Sequence, residues 1–198
     1  MLIVTVARTE LKLVSVDALK TELQITTADT DDYLSGVLDR TSEAVEAYCK
    51  RIFAVETVQE TYRPSSAEWC LLLTRYPVIA ISSITEDAVA VAASDYEVDN
   101  ETGELFRLTS DMRDRWWALK IVVTYQAGYT SLPGPVTQAI FELVKLGQAA
   151  RTRDPSLRSE NILEGLYSYT LFGSGDYKAG MPSTVAAMLD PYVAPVQA

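Results

Sequence analysis

The chain has 198 residues, 48% of them apolar and 22% charged, so it can bury a core and is not a disordered tail. Its 27 acids against 17 bases give a formal charge of −10, which disfavours a tight grip on nucleic-acid phosphate but allows a surface past which DNA slides. The chain has no histidine, which excludes Ser-His-Asp and Cys-His triads, most zinc sites and a simple pH switch near neutrality.

The length suits one domain, or one domain with an insertion. No apolar run approaches the ~20 residues a membrane-spanning helix needs. Met1 to Leu13 carries a short apolar stretch without a small-residue cleavage site, so no signal peptide is expected. Cys49 and Cys70 lie far apart in apolar contexts and read as reduced, buried thiols of a cytoplasmic setting.

In chain order, Ser15 caps a short helix whose apolar positions are Val16, Leu19 and Leu23. A longer helix begins at Asp31 or Asp32, where carboxylates suit the helix dipole. Leu34, Val37, Leu38, Thr41, Val45, Tyr48 and Ile52 form its predicted apolar stripe, with Asp39, Arg40, Glu43, Glu46 and Lys50 on the other face. The period then falls to two. Strands are predicted at Val55–Arg63, Trp69–Thr74 and Val78–Ile84, and a hairpin joins Tyr96–Val98 to Leu105–Leu108 through a turn whose Gly103 supplies a positive φ. A last strand, Leu119–Gln126, ends at Ala127-Gly128-Tyr129. Pro135 opens another helix with Val136, Ile140, Leu143, Val144 and Gly147 on one face. An aromatic stretch and a Gly173-Ser174-Gly175 loop follow, then a short helix from Ser183 to Asp190 stopped by Pro191.

Chemical motifs are few. Asp29-Thr30-Asp31-Asp32 begins like a calcium loop, but Leu34 and Arg40 stand where glycine and a bidentate carboxylate are required, so capping is the better reading. Gly173-Ser174-Gly175 lacks the strand–loop–helix context and GK[ST] tail of a phosphate loop. Trp116-Trp117 reads as sheet-edge packing rather than a stacking platform. From Glu86 to Glu104 there are seven acids and no Lys or Arg. Alternation would put Asp95, Glu97 and Asp99 on one face. With Glu101 and Glu104 they form an acidic array, readable as a solvated hairpin, a divalent-ion or acid–base site, or an anionic rim that repels DNA phosphate. No catalytic constellation and no cofactor or metal motif emerges.

The order of elements resembles the head–tail connector (adaptor) proteins of tailed bacteriophages and prophages. The residues that carry the resemblance are Ser15-Val16-Asp17-Ala18-Leu19-Lys20, Asp31-Asp32-Tyr33-Leu34 and Val45-Glu46-Ala47-Tyr48-Cys49-Lys50-Arg51. Further on they are Asp95-Tyr96-Glu97-Val98-Asp99, Gly103-Glu104-Leu105, Val122 to Tyr129, Leu132-Pro133 and Val136-Thr137-Gln138-Ala139-Ile140. The similarity spans residues 13–153. It implies a non-enzymatic virion protein forming a ring, usually of twelve copies, beneath the portal protein. Such a ring holds the downstream neck, stopper or tail protein and leaves a DNA channel. The expected location is the capsid vertex, with the host cytoplasm during assembly and no membrane.

The expected fold is α+β: a helical core from the N-terminal helix pair and a helix near 135–151, an antiparallel β-rich insertion near 55–126, and a C-terminal extension. An adaptor domain of residues 1–154 and a docking extension of 155–198 follow from this. Within the extension, Ile162, Leu163, Leu166, Tyr167, Tyr169, Leu171 and Phe172 are the candidate contacts to the portal or a neighbour. Asp95, Glu97, Asp99, Glu101 and Glu104 are the candidate channel rim. The alternatives are another neck or tail-completion protein, or a carboxylate metal-dependent nuclease or hydrolase.

Overall fold

Blocks of 3.6-residue and 2-residue periodicity succeed one another along the chain, and the elements follow them. The computed structural model describes residues 1–8, 11–152, 159–162, 165–168, 177–178 and 180–194; for 150–152, 159–162, 165–168 and 177 it describes the backbone alone. The elements are β1 (Leu2–Val6), α1 (Val16–Leu23), α2 (Asp31–Cys49), β2 (Glu56–Tyr62), β3 (Leu71–Leu72), β4 (Val78–Glu86), β5 (Val89–Ala90), β6 (Tyr96–Val98), β7 (Glu104–Thr109), β8 (Met112–Asp114) and β9 (Ile121–Ala127). After these come α3 (Gly134–Thr152), β10 (Ser159–Ile162), β11 (Gly165–Ser168), β12 (Tyr177–Lys178), β13 (Met181–Pro182) and α4 (Ser183–Leu189). Single 3-10 turns lie at Ala93–Asp95 and Asp190–Tyr192. The fold is α+β, and the chain divides into two units, Met1–Thr9 with Ile52–Ser131, and Glu10–Arg51 with Leu132–Ala198.

The first unit is β-rich. Its larger sheet runs β1-β2-β9-β4-β5 and is antiparallel throughout; a smaller sheet runs β3-β7-β6, with β8 also paired to β7. Alternation along β2 and β9 turns Val58, Ile121, Val123 and Tyr125 to one face, where they pack with Leu73, Ile84, Leu105 and Trp116. The Trp116 indole NH donates to the Leu105 carbonyl at 3.2 Å, so its one polar atom is satisfied in a fully buried site. Two glycines are fixed by backbone geometry. Gly103 has φ +75 in the predicted hairpin loop, and Gly128 has φ +125 where an added Cβ would lie 2.4 Å from the Ala54 carbonyl oxygen.

The second unit is helical. The Ser15 side chain caps α1 by accepting the Ala18 amide at 3.2 Å, and α1 ends on Gln24 in the left-handed region. The Lys20–Asp31 pair at 2.8 Å ties α1 to the start of α2. In α2 the buried stripe is Leu34, Leu38, Ser42, Val45, Glu46 and Cys49. The sequence reading put Thr41 and Tyr48 on this face and Glu46 on the opposite one. The helix is rotated slightly from that reading because Ser42 goes inward to accept the Leu13 amide at 3.1 Å. In α3 Val136, Ala139, Ile140, Phe141 and Val144 are buried, whereas Gly147, expected on the apolar face, is exposed. Val185, Ala186 and Leu189 of α4 are buried as well, and α4 packs with α2 and α3. Ala194, beyond α4, donates its amide to the Cys49 carbonyl at 2.8 Å.

Candidate assembly surfaces

The acidic stretch is not one strand face. β6 covers only residues 96–98, so Asp95 sits in the preceding 3-10 turn and Asp99 in the following loop. Arg107 answers two of the acids, Glu86 and Asp95. Its guanidinium donates to the Asp95 carbonyl at 2.6 Å and lies 3.8 Å from the Asp95 carboxylate and 3.3 Å from Glu86. Asp99 accepts the amides of Glu101 and Thr102 at 2.9 and 3.3 Å, and these bonds hold its carboxyl below the usual carboxylate range. Its own amide donates to the Glu104 carbonyl at 2.8 Å, closing the loop. Glu101 is exposed and Glu104 half-buried at the start of β7. Among the described residues no group of three or more Cys, Asp or Glu side chains is placed to hold a metal ion.

Glu97 also borders a second surface. It pairs across the small sheet with Phe106, and the next pair on that face is Leu108 with Arg113. The Arg113 guanidinium lies 3.8 Å above the Phe106 ring and 3.3 Å from the Glu97 carboxylate. Arg115 stands 4.6 Å over Trp69, which is 56% exposed, and Leu72 opposite Glu104 is exposed too. Aromatic rings stacked with arginines and bordered by carboxylates match the composition of protein-contact surfaces better than that of a bare anionic wall. Sequence reasoning missed Trp69 and Phe106 as contact residues; for Phe106 the Trp and Arg enrichment of residues 106–117 is the available signal.

In the helical unit, the Tyr48 hydroxyl donates to Asp190 at 2.7 Å, and Lys178 donates to both oxygens of the same carboxylate at 2.8 and 2.7 Å. The bond to Asp190 raises the Tyr48 hydroxyl, while Lys178 and then Tyr48 lower Asp190. This clasp walls a groove of about 760 Å³ lined also by Ala44, Ala47, Lys50, Met181 and Val193. Cys49 is buried, and burial pushes its thiol up to about 11; Cys70 is half-buried and raised by the same cause. Neither is a poised nucleophile.

Of the candidate docking residues, Ile162 lies on β10 and Leu166 and Tyr167 on β11, an antiparallel pair with Asn161 opposite Leu166 and Glu160 opposite Tyr167. Leu163, Tyr169, Leu171 and Phe172 lie outside the described residues. Among the described residues no helix is long and apolar enough to cross a membrane.

The sequence matches the head completion protein family over residues 12–152. The chain belongs to that family. No curated protein sequence matches it. Among solved structures, the chain is similar to one in the neck of an empty GTA particle computed with C6 symmetry, with TM-score 0.61 and 15% identity. It is also similar to one in the neck of a native GTA particle computed with C12 symmetry, at 0.57 and 17%. A third is in the virion of a native gene transfer agent particle, at 0.53 and 18%. Each match covers 100% of this chain and 97% of the other. At these identities the likeness is one of fold.

Proposed function

We propose that the chain is a structural head–tail adaptor that joins the DNA-filled capsid to the neck or tail. Twelve copies form a ring beneath the portal, hold the downstream stopper or tail protein, and leave a channel for DNA. The observation that carries the proposal is the family match across both units, residues 12–152. The full-length likeness to chains of particle necks, one with C12 symmetry, supports it. The charge of −10 suits a channel wall that does not grip phosphate. On this reading the chain resides in the virion neck after assembly in the host cytoplasm, and it performs no catalysis.

Two surfaces have roles in this proposal. Asp95, Glu97, Asp99, Glu101 and Glu104 line the channel or its rim. Asp99 and Glu101, both exposed, contribute most of the repulsion, because Asp95 and Glu97 face arginines. The segment 159–172 docks on the portal or the following protein through Ile162, Leu163, Leu166, Tyr167, Tyr169, Leu171 and Phe172. Deletion of the gene from its phage or prophage tests the function. DNA-filled heads and free tails that do not join, with joining restored by the intact gene, are the expected result. Normal joining in the deletion strain would refute it.

A further inference from the structure

Among the described residues the larger sheet has two open edges. β1 is one edge, hydrogen-bonded only to β2 among the described residues. Met1 and Thr61 exchange both backbone hydrogen bonds, the Thr61 amide donating at 2.8 Å. Alternation then makes Ile3–Gln59 the next bonded pair and points the amides and carbonyls of Leu2 and Val4 away from β2. On the far side, β5 covers β4 only at Thr85 and Glu86, the Val78 amide is taken by the Asn100 carbonyl, and the Ile84 carbonyl accepts the Val91 amide. This leaves residues 79–83 of β4 as an edge of five residues, the length of β1.

Leu2-Ile3-Val4-Thr5-Val6 and Ile79-Ala80-Ile81-Ser82-Ser83 contain no charge and no proline, two of the devices that keep sheets from pairing edge to edge. One irregularity interrupts β1, between Val4 and Val6, and two interrupt β4, between Val78 and Ala80 and between Ile81 and Ser83, so the new pairing is broken at these points. Ile3, Val4 and Val6 are 43%, 38% and 61% exposed, and Ala80, Ser82 and Ser83 are exposed as well. The side chains turned away from this unit's core are also free of charge across the sheet. The paired rows are Ile3–Gln59–Thr124–Ser83 and Val6–Thr57–Gln126–Ala80.

Strand polarity selects the partner. β1, β2, β9 and β4 alternate in direction, so β1 and β4 run oppositely. A copy related by rotation about a ring axis keeps its strand sense. Its β1 therefore arrives antiparallel to the β4 of its neighbour, and the sheet continues without a polarity break. The two edges differ, so the contact is heterologous, the kind that closes into a ring. We infer that β1 of one copy adds to the 79–83 edge of the next, making the subunit contact a shared antiparallel sheet.

The inference rests on the ring reading, and hydrogen exchange separates the two. Amide exchange is measured on the free subunit and on necks isolated from particles. Peptides covering 1–7 and 78–84 are expected to slow by about tenfold or more in the neck, since both edges gain hydrogen bonds. A ring in which either peptide exchanges as in the free subunit overturns the shared sheet but leaves the ring. A neck holding one copy overturns both. Val4→Pro removes an outward amide and Ser82→Lys guards the opposite edge; each is expected to melt within a few degrees of the parent and to be excluded from rings. Full rings built from either variant contradict the inference.

Discussion

The two units are held together differently. The β-rich unit buries large side chains with polar atoms, each tied to a particular partner: Trp116 to the Leu105 carbonyl, and Tyr125 to Glu60 at 2.6 Å. Glu60 itself is 3% exposed. It also accepts the Tyr62 hydroxyl and the amide and hydroxyl of Thr74 at 3.0 and 3.1 Å, so one carboxylate stitches β2, β9 and the turn after β3. The helical unit buries chiefly aliphatic residues, Leu19, Leu34, Leu38, Ile140, Val144, Val185 and Leu189, and several of its ion pairs lie at the surface. Directional bonds demand one geometry, whereas an aliphatic stripe tolerates shape changes of similar volume. The β-rich unit should therefore fail sharply under substitution and the helical unit gradually.

The largest contrast is expected between Trp116→Ala and Leu38→Met, each at a fully buried position. The first should cost about 4 kcal/mol and the second under about 1.5 kcal/mol, read from urea unfolding. Equal losses would break the comparison. Next comes Glu60→Leu, which strands the Thr74 amide and the Tyr125 hydroxyl and should cost about 3 kcal/mol; Glu60→Gln, keeping acceptor capacity, should cost about 1 kcal/mol. If Glu60→Leu were neutral, the network would be incidental to stability.

Alkaline pH sharpens the same point. Burial first, then the Glu60 charge and hydrogen bond, hold the Tyr62 and Tyr125 hydroxyls well above the usual tyrosine range. A raised pKa means that folding favours the protonated form. The contribution is whole below the unfolded value of about 10 and is lost as pH rises above it, because the unfolded chain releases those protons first. The urea midpoint should hold between about pH 7 and 9 and fall above 10, and Tyr62→Phe with Tyr125→Phe should flatten that fall. The smallest effect is at the helical unit's first cap: Ser15→Ala should cost about 1 kcal/mol and leave the β-rich unit's near-ultraviolet signal unchanged.

Legibility in the sequence follows the same divide. Local signals sufficed for α1, α2 and α3: the Ser15 cap, the acids opening α2, and Pro135 in the first turn of α3. Gly103 was legible because a tight hairpin loop calls for positive φ. β1 was not, since Leu2 to Val6 is apolar on both faces and shows no alternation, which suits an edge that another strand can cover. Alternation along Val55–Arg63 puts Glu60 on one face with Val58 and Tyr62, yet only the fold reveals two tyrosines and Thr74 converging on it. Asp95 and Asp99 left the strand face because a 3-10 turn and a side-chain-bonded loop flank β6, and Arg107, which answers Asp95, is distant in sequence. Gly128 marks a strand end in sequence, whereas its contact with Ala54 depends on the close approach of distant segments.

The central claim is tested most directly by a reconstruction of the neck from the particles that carry this chain, with its copies counted and their neighbours traced. Twelve copies between the portal and the next neck or tail protein, enclosing a DNA-wide channel, is the predicted result. A neck complete without this chain, or one holding it as a single copy away from the axis, would contradict the proposed adaptor ring.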